Sequence, residues 1–260
     1  LEISLVTYLT HPNFHAVLTN ISGFLLTVVL IFSMWISGYH LKRLFKLMTD
    51  NCLETLYLSN LLGLTFWTFI GIVLVLNHLL FKELLSLIII VIYLSLFLLR
   101  KNQEFANDIH ALLNQKIVIK HFYSKIKFLI IFLILLTTQL AYLFDFPMGF
   151  DSRISYLNFP MAYAKNNGFV DFPYWIYSNF PKYGEMLFSI GYSLYGYKLA
   201  IGIFVIILIN LVLLLSVFSS YIFKTSPLNS IFITLTTPMV MHMTIIDSKV
   251  DILMTIYFLS

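Results

Sequence analysis

Acidic side chains cluster in two stretches of this sequence, and their carboxylates are the groups best suited to chemistry. The first stretch holds four of them, at Asp145, Asp151, Asp171 and Glu185. The second holds Asp247 and Asp251, which are four residues apart and would therefore share one face of a helix. Paired carboxylates suit general-base catalysis, binding of a divalent cation, or cation transport.

The composition shows what kind of protein positions these groups. Of the 260 residues, 60% are hydrophobic and 11% are charged, whereas a soluble domain is about half apolar and a quarter charged. A chain of this size cannot hide that excess in one water-soluble core, so lipid must be its main solvent. No stripe of Arg and Lys indicates nucleic-acid binding, and the single Cys52 excludes a disulfide within the chain.

Hydrophobic windows of about 20 residues predict the membrane spans, because a helix of that length crosses the hydrocarbon layer. Six windows qualify, near 17–37, 56–78, 84–99, 127–144, 198–223 and 228–245. A seventh begins near Asp251 and is truncated at Ser260. Every backbone group in lipid must be paired within its own segment, so these spans must be helices. The fold class is therefore an all-α polytopic membrane protein of about seven helices.

Basic residues orient the predicted bundle. If the spans alternate in direction, ten of the 16 Lys and Arg fall on one side, namely Lys42, Arg43, Lys46, Arg100, Lys101, Lys116, Lys120, Lys125, Lys127 and Lys224. The positive-inside rule makes that side cytoplasmic. Three regions follow: amino-terminal helices over 1–100, a cytoplasmic linker with a short amphipathic helix over 101–126, and a second membrane region over 127–260. Since the chain begins at Leu1 and stops within an apolar run, we expect an internal piece of a longer membrane protein.

One long loop, 145–197, faces the outside in this topology and carries the first acidic stretch. Loops of such length in a tightly connected bundle are usually functional, although a structural cap on the bundle fits the pattern equally well. Hydrophobic spacing predicts amphipathic helices near 152–166 and 180–195. Their apolar stripes are Ile154, Leu157, Met161 and Ala164 in the first helix, and Met186, Leu187, Ile190 and Leu194 in the second. Asn166-Asn167-Gly168 is the predicted stop of the first helix.

The same loop resembles the first outer loop of GT-C-type membrane glycosyltransferases that use polyprenyl-phosphate-linked sugars, such as protein mannosyltransferases and the aminoarabinose transferases of lipid A. The resemblance is carried by four runs, Asp151–Pro160, Asn167-Gly168, Tyr177–Pro181 and Gly184–Leu187. Asp247–Leu253 is similar to a later outer element of that group, while 42–46 and the span around Gly63 resemble its amino-terminal spans more loosely. Ser155-Tyr156 stands where the group has a Tyr-His pair.

The resemblance implies roles for six residues. Asp151 would be the general base that deprotonates the acceptor, with Glu185 as the second catalytic carboxylate. Glu185 and Asp251 would orient the acceptor or a divalent cation, for which Asp151 and Asp251 are the candidate ligands. Arg153 or Lys182 would meet the departing lipid phosphate, and Tyr156 completes the substrate-binding set.

The implied activity is sugar transfer from a polyprenyl-phosphate carrier to an unidentified acceptor, by an integral protein of a bacterial cytoplasmic membrane whose loop faces the periplasm or the exterior. Two other functions fit the same features. A transporter or flippase for lipid-linked saccharides would use the acidic groups to line a pathway, and it should show inverted repeats or broken spans near the midplane. A non-catalytic membrane scaffold would need none of these roles.

Overall fold

A computed structural model describes residues 14–49, 52–100, 157–173 and 183–221, together with Lys224, Leu253, Ile256 and Tyr257. The four ranges form six helices and no strand. In chain order these are α1 (Phe14–Leu44), α2 (Cys52–Leu76), α3 (Lys82–Arg100), α4 (Asn158–Lys165), α5 (Tyr183–Tyr195) and α6 (Tyr197–Tyr221). The prediction of an all-α protein is confirmed over this part of the chain.

Three of the helices are long and apolar enough to cross a membrane. Their span segments are Thr19–Leu44, Leu53–Leu76 and Tyr197–Tyr221, which coincide with the first, second and fifth predicted spans. Helix α3 occupies the position of the third predicted span, near 84–99. These findings support an integral membrane protein.

The remaining predicted spans, near 127–144, 228–245 and from Asp251, lie outside the described residues. The same holds for the amphipathic helix predicted within 101–126. The count of seven spans therefore stays a prediction.

Helix α1 continues to Leu44, beyond the predicted end of its span, and Lys42 in its last turn is buried. Its Nζ donates hydrogen bonds to the hydroxyls of Thr49 at 2.8 Å and Thr55 at 3.2 Å. The ammonium group also lies 5.7 Å from the centre of the Tyr39 ring, within the range of a cation–π interaction. These contacts satisfy the charge at the end of the helix, and the apolar pattern alone could not reveal them.

Helices α1 and α2 form an antiparallel pair whose backbones touch at two glycines. Gly38 of α1 lies against the backbone of Ser59, and Gly63 of α2 lies against the backbone of Met34, with no room for a Cβ at either position. Small residues allow membrane helices to approach closely, which gains van der Waals contact where the hydrophobic effect cannot drive association.

Replacing Gly63 with alanine is expected to destabilise the protein by about 1–3 kcal/mol, because the added methyl forces the two backbones apart. Thermal unfolding in detergent measures the change. Val73→Leu is the matched control, since it adds one carbon on the same helix at a residue that is 39% exposed. Equal unfolding temperatures for the two variants would contradict the tight packing at Gly63.

Helix α6 runs in the same direction as α1 and packs against it, with Gly202 facing Thr27 and Gly23 facing Lys198. The ends of the described helices therefore lie at two opposite ends of the bundle. The loop end comprises the α2–α3 connection (77–81), the segment 166–173 and Gly196, and it is the end predicted to face outward. The Lys42 end is opposite, and there the Tyr221 hydroxyl donates to Oε2 of Glu54 at 3.0 Å.

Helix α4 stops where the sequence predicts, at Asn166-Asn167-Gly168. Asn167 takes a left-handed conformation with φ 54°, and the Gly168 amide donates to the Tyr163 carbonyl at 2.9 Å. This is the Schellman pattern that satisfies the last carbonyls of a helix. Asn167, rather than Gly168, supplies the left-handed residue, which asparagine tolerates better than most side chains.

The end of α4 docks onto the end of α2. The Leu80 amide donates to the Asn167 carbonyl at 3.0 Å, and the Phe169 amide donates to the Val75 carbonyl at 2.8 Å. Gly168 lies directly against His78, so any Cβ there would overlap the imidazole. Segments about ninety residues apart in sequence are thus joined at the loop end by backbone hydrogen bonds.

Both described helices of the outer loop lie within the ranges predicted for them, but their burial differs from a simple amphipathic stripe. In α4 the buried residues are Phe159, Pro160 and Tyr163, whereas Met161 and Ala164 of the predicted stripe are only half-buried. The aromatic rings of α4 take the interior position because they remove more apolar surface from water than Met161 and Ala164 do. The placement of both helices at a membrane surface stays a prediction.

Candidate functional site

Glu185 is the one proposed site residue that lies among the described residues. The others, Asp151, Arg153, Tyr156, Lys182 and Asp251, fall outside them. Glu185 occupies the first turn of α5, and only 6% of its surface is exposed. A carboxylate so enclosed is uncommon, since acidic side chains are rarely buried unless they are paired or functional.

The burial of Glu185 follows from the position of α5. Helices α5 and α6 are antiparallel and are joined by Gly196 alone, whose φ of +69° suits glycine. The rings of Phe188 and Phe204 stack with their centres 4.4 Å apart, and Gly191 approaches Ala200 too closely to admit a Cβ. In each contact the two residues are at nearly equal sequence distances from Gly196. The two helices therefore pack side by side along their length.

Glu185 therefore lies along the body of α6 rather than at the tip of the loop end. It is eleven residues from Gly196, about 16 Å along the helix axis at 1.5 Å per residue. Gly71 of α2 contacts the carbonyl of Met186 on the other side of α5. Most of α5 is buried, including Ser189 on a different face from the predicted stripe. This enclosure is more complete than a single apolar stripe requires, because neighbours cover α5 on several sides.

Tyr163 of α4 shares the electrostatic environment of Glu185. Its side chain is 1% exposed, and its ring stacks on Phe169 with centres 5.6 Å apart. Burial, followed by the negative charges of Glu185 and Asp171, raises the pKa of the Tyr163 phenol to about 12. The phenol therefore stays protonated at neutral pH and can act as a hydrogen-bond donor.

These observations define the candidate site as Glu185, Tyr163 and Asp171. Two different helices and the exposed segment after α4 contribute one residue each. Asp171 is exposed and lies in the irregular segment after α4, yet its charge affects the pKa of Tyr163. The set combines a buried carboxylate, a neutral phenol and an exposed carboxylate, which suits proton transfer or orientation of a polar substrate.

Sequence reasoning missed Tyr163. The available signal was Phe159 and Tyr163, an aromatic pair at i and i+4, which share one face of a helix. The predicted stripe runs instead through Ile154, Leu157, Met161 and Ala164. Nothing local indicated that α5 and its carboxylate would pack beside this face.

Over 14–49, 52–100, 157–173 and 183–221, no group of three or more His, Cys, Asp or Glu side chains could hold a metal ion. The proposed cation ligands Asp151 and Asp251 lie outside these ranges. Comparison of the chain with protein-family models, curated proteins and solved structures finds no match.

Proposed function

We propose that this chain belongs to a membrane glycosyltransferase that moves a sugar from a polyprenyl-phosphate carrier to an acceptor at the outer face of the membrane. The observation that carries the proposal is the burial of Glu185 beside Tyr163, next to a helix apolar enough to span the bilayer. An ionisable group in such surroundings is costly and usually serves a function. Glu185 is also the acidic position implied by the resemblance to GT-C enzymes.

In the proposed reaction, Asp151 accepts the proton of the acceptor hydroxyl or amine as that group attacks the anomeric carbon. The bond from this carbon to the carrier phosphate breaks, and its electron pair leaves on the phosphate, where Arg153 or Lys182 balances the charge. Glu185 and Asp251 orient the acceptor or a divalent cation, and Tyr156 contacts the substrate. The experiment that tests the function is transfer of sugar from a lipid-linked donor in membranes that contain the chain.

A transporter of lipid-linked saccharides is the second candidate, and Asn210 favours it. This residue lies within α6 with 1% of its surface exposed. Its Nδ2 donates to the Ile206 carbonyl at 2.9 Å, while among the described residues its Oδ1 finds no donor. A buried polar atom inside a span is a feature of transport pathways. Transport predicts that Asn210→Leu impairs function, whereas the proposed transferase reaction assigns no role to a residue of α6 and predicts nearly unchanged sugar transfer.

The proposal requires the loop end to face outward, which the distribution of basic residues predicts. In a Cys52→Ser background, a membrane-impermeant thiol reagent is expected to label Asn166→Cys in intact cells, because Asn166 is exposed at the loop end. Met48→Cys, 95% exposed and close to the Lys42 end, should react only after permeabilisation. The opposite labelling pattern would reverse the orientation and exclude transfer at the outer face.

A further inference from the structure

Two cavities meet at Lys82, the first residue of α3. The first has a volume of about 310 Å³ and lies between α1 and α3, close to the turn that joins α5 and α6. Its walls are mainly apolar, with Leu26, Leu30, Ile89 and Leu199 among them. Ile90 at its edge is 55% exposed, so the cavity opens toward the face of the bundle that lipid would cover.

The second cavity is larger, about 650 Å³, and lies at the loop end between α3, α4 and the α5–α6 turn. Polar side chains make up a larger share of its walls than in the first cavity, and Phe81, Met161 and Tyr197 also line it. Lys82, Lys165, Glu83, Asn167 and Tyr192 all contribute. The two cavities share Lys82 in their walls, so its side chain borders both the larger cavity and the apolar groove.

The polar cavity favours an anion. Two ammonium groups, those of Lys82 and Lys165, outnumber the one carboxylate, that of Glu83. Burial raises the pKa of the Tyr192 phenol to about 12, so this hydroxyl remains protonated and can donate to an anionic oxygen. The Asn167 amide offers two further donors.

We propose that the two cavities together bind an anionic phospholipid of the surrounding bilayer. Its phosphate lies near Lys82 and Lys165, and one acyl chain lies in the groove between α1 and α3. Only a molecule with both a charged head and an apolar chain uses both cavities at once. This inference does not depend on the proposed transferase function, because it involves neither Glu185 nor the sugar donor.

Native mass spectrometry of the delipidated chain in a neutral detergent, titrated with phosphatidylglycerol, tests the head-group site. Lys82→Gln combined with Lys165→Gln is expected to weaken binding by about tenfold, since hydrogen bonds to charged groups contribute on that scale. Glu83→Gln should strengthen binding. Lys46→Gln, an exposed lysine near the opposite end, is the matched control and should leave binding unchanged.

Ser86→Phe tests the groove, because Ser86 lines the apolar cavity and a larger ring would fill it. This variant should bind long-chain phosphatidylglycerol about tenfold more weakly and retain its affinity for a short-chain form.

Equal affinity for phosphatidylglycerol and phosphatidylcholine would overturn the proposal, as would unchanged binding by the double lysine variant. Inorganic phosphate or a polyprenyl phosphate that competes more strongly than phosphatidylglycerol would also overturn it, by identifying a different ligand.

Discussion

Sugar transfer from a lipid-linked donor is expected to fall roughly 10²–10⁴-fold when Asp151 is replaced by asparagine, the range that general-base assistance typically contributes. Asp151 follows the fourth predicted span by only a few residues, at the depth expected for a polyprenyl-phosphate head group. A carboxylate there accepts the acceptor's proton and also favours the positive charge that builds on the sugar ring. Asparagine keeps the shape and polarity of the side chain but can do neither.

The measurement is transfer in membranes, normalised to the amount of inserted protein. Asp145→Asn is the matched control, because it removes one carboxylate from the same loop at a residue to which no catalytic or binding role is assigned. It should retain most of the activity. Near-normal transfer by Asp151→Asn would remove the general base from the proposed mechanism and favour the transporter.

Glu185→Gln is expected to lower transfer about 100-fold, the loss that a displacement of about 1 Å in bound substrate can cause. Glutamine has nearly the same volume as glutamate, so the packing of α5 between its neighbours should survive. The change removes the negative charge that would orient the acceptor or a cation. Glu185→Asp, which keeps the charge on a shorter side chain, should recover part of the activity.

Thermal unfolding separates this role from a structural one. If Glu185 only stabilises the bundle, Glu185→Gln should change the unfolding temperature and leave the activity of folded protein intact. Ser189→Ala provides a control on the same helix, because Ser189 is also buried and its hydroxyl donates to the Glu185 carbonyl at 2.8 Å. Equal losses of transfer in Ser189→Ala and Glu185→Gln would contradict a specific role for the carboxylate.

The membrane helices were the most predictable part of the protein. A span needs only length and apolar composition, which are local properties, so windows near 17–37, 56–78 and 198–223 coincided with helices of the structure. The end of α4 was predictable for a similar reason, since Asn166-Asn167-Gly168 can satisfy the last carbonyls without help from elsewhere. The GT-C resemblance also came from short runs of residues, and nothing in the described structure tests it.

The surroundings of the acidic side chains depend on contacts between segments that are far apart in sequence. They could therefore not be predicted from local sequence patterns. The sequence by itself identified Glu185 as a carboxylate on a helix, together with the apolar segments around it. Its enclosure depends on the one-residue turn at Gly196, which returns the chain along α5, and on the contact of Gly71 with that helix. Its partner Tyr163 is brought near by hydrogen bonds between the ends of α4 and α2. Burial and charge act through space, so the folded arrangement determined that Glu185 is buried while Asp171 is exposed.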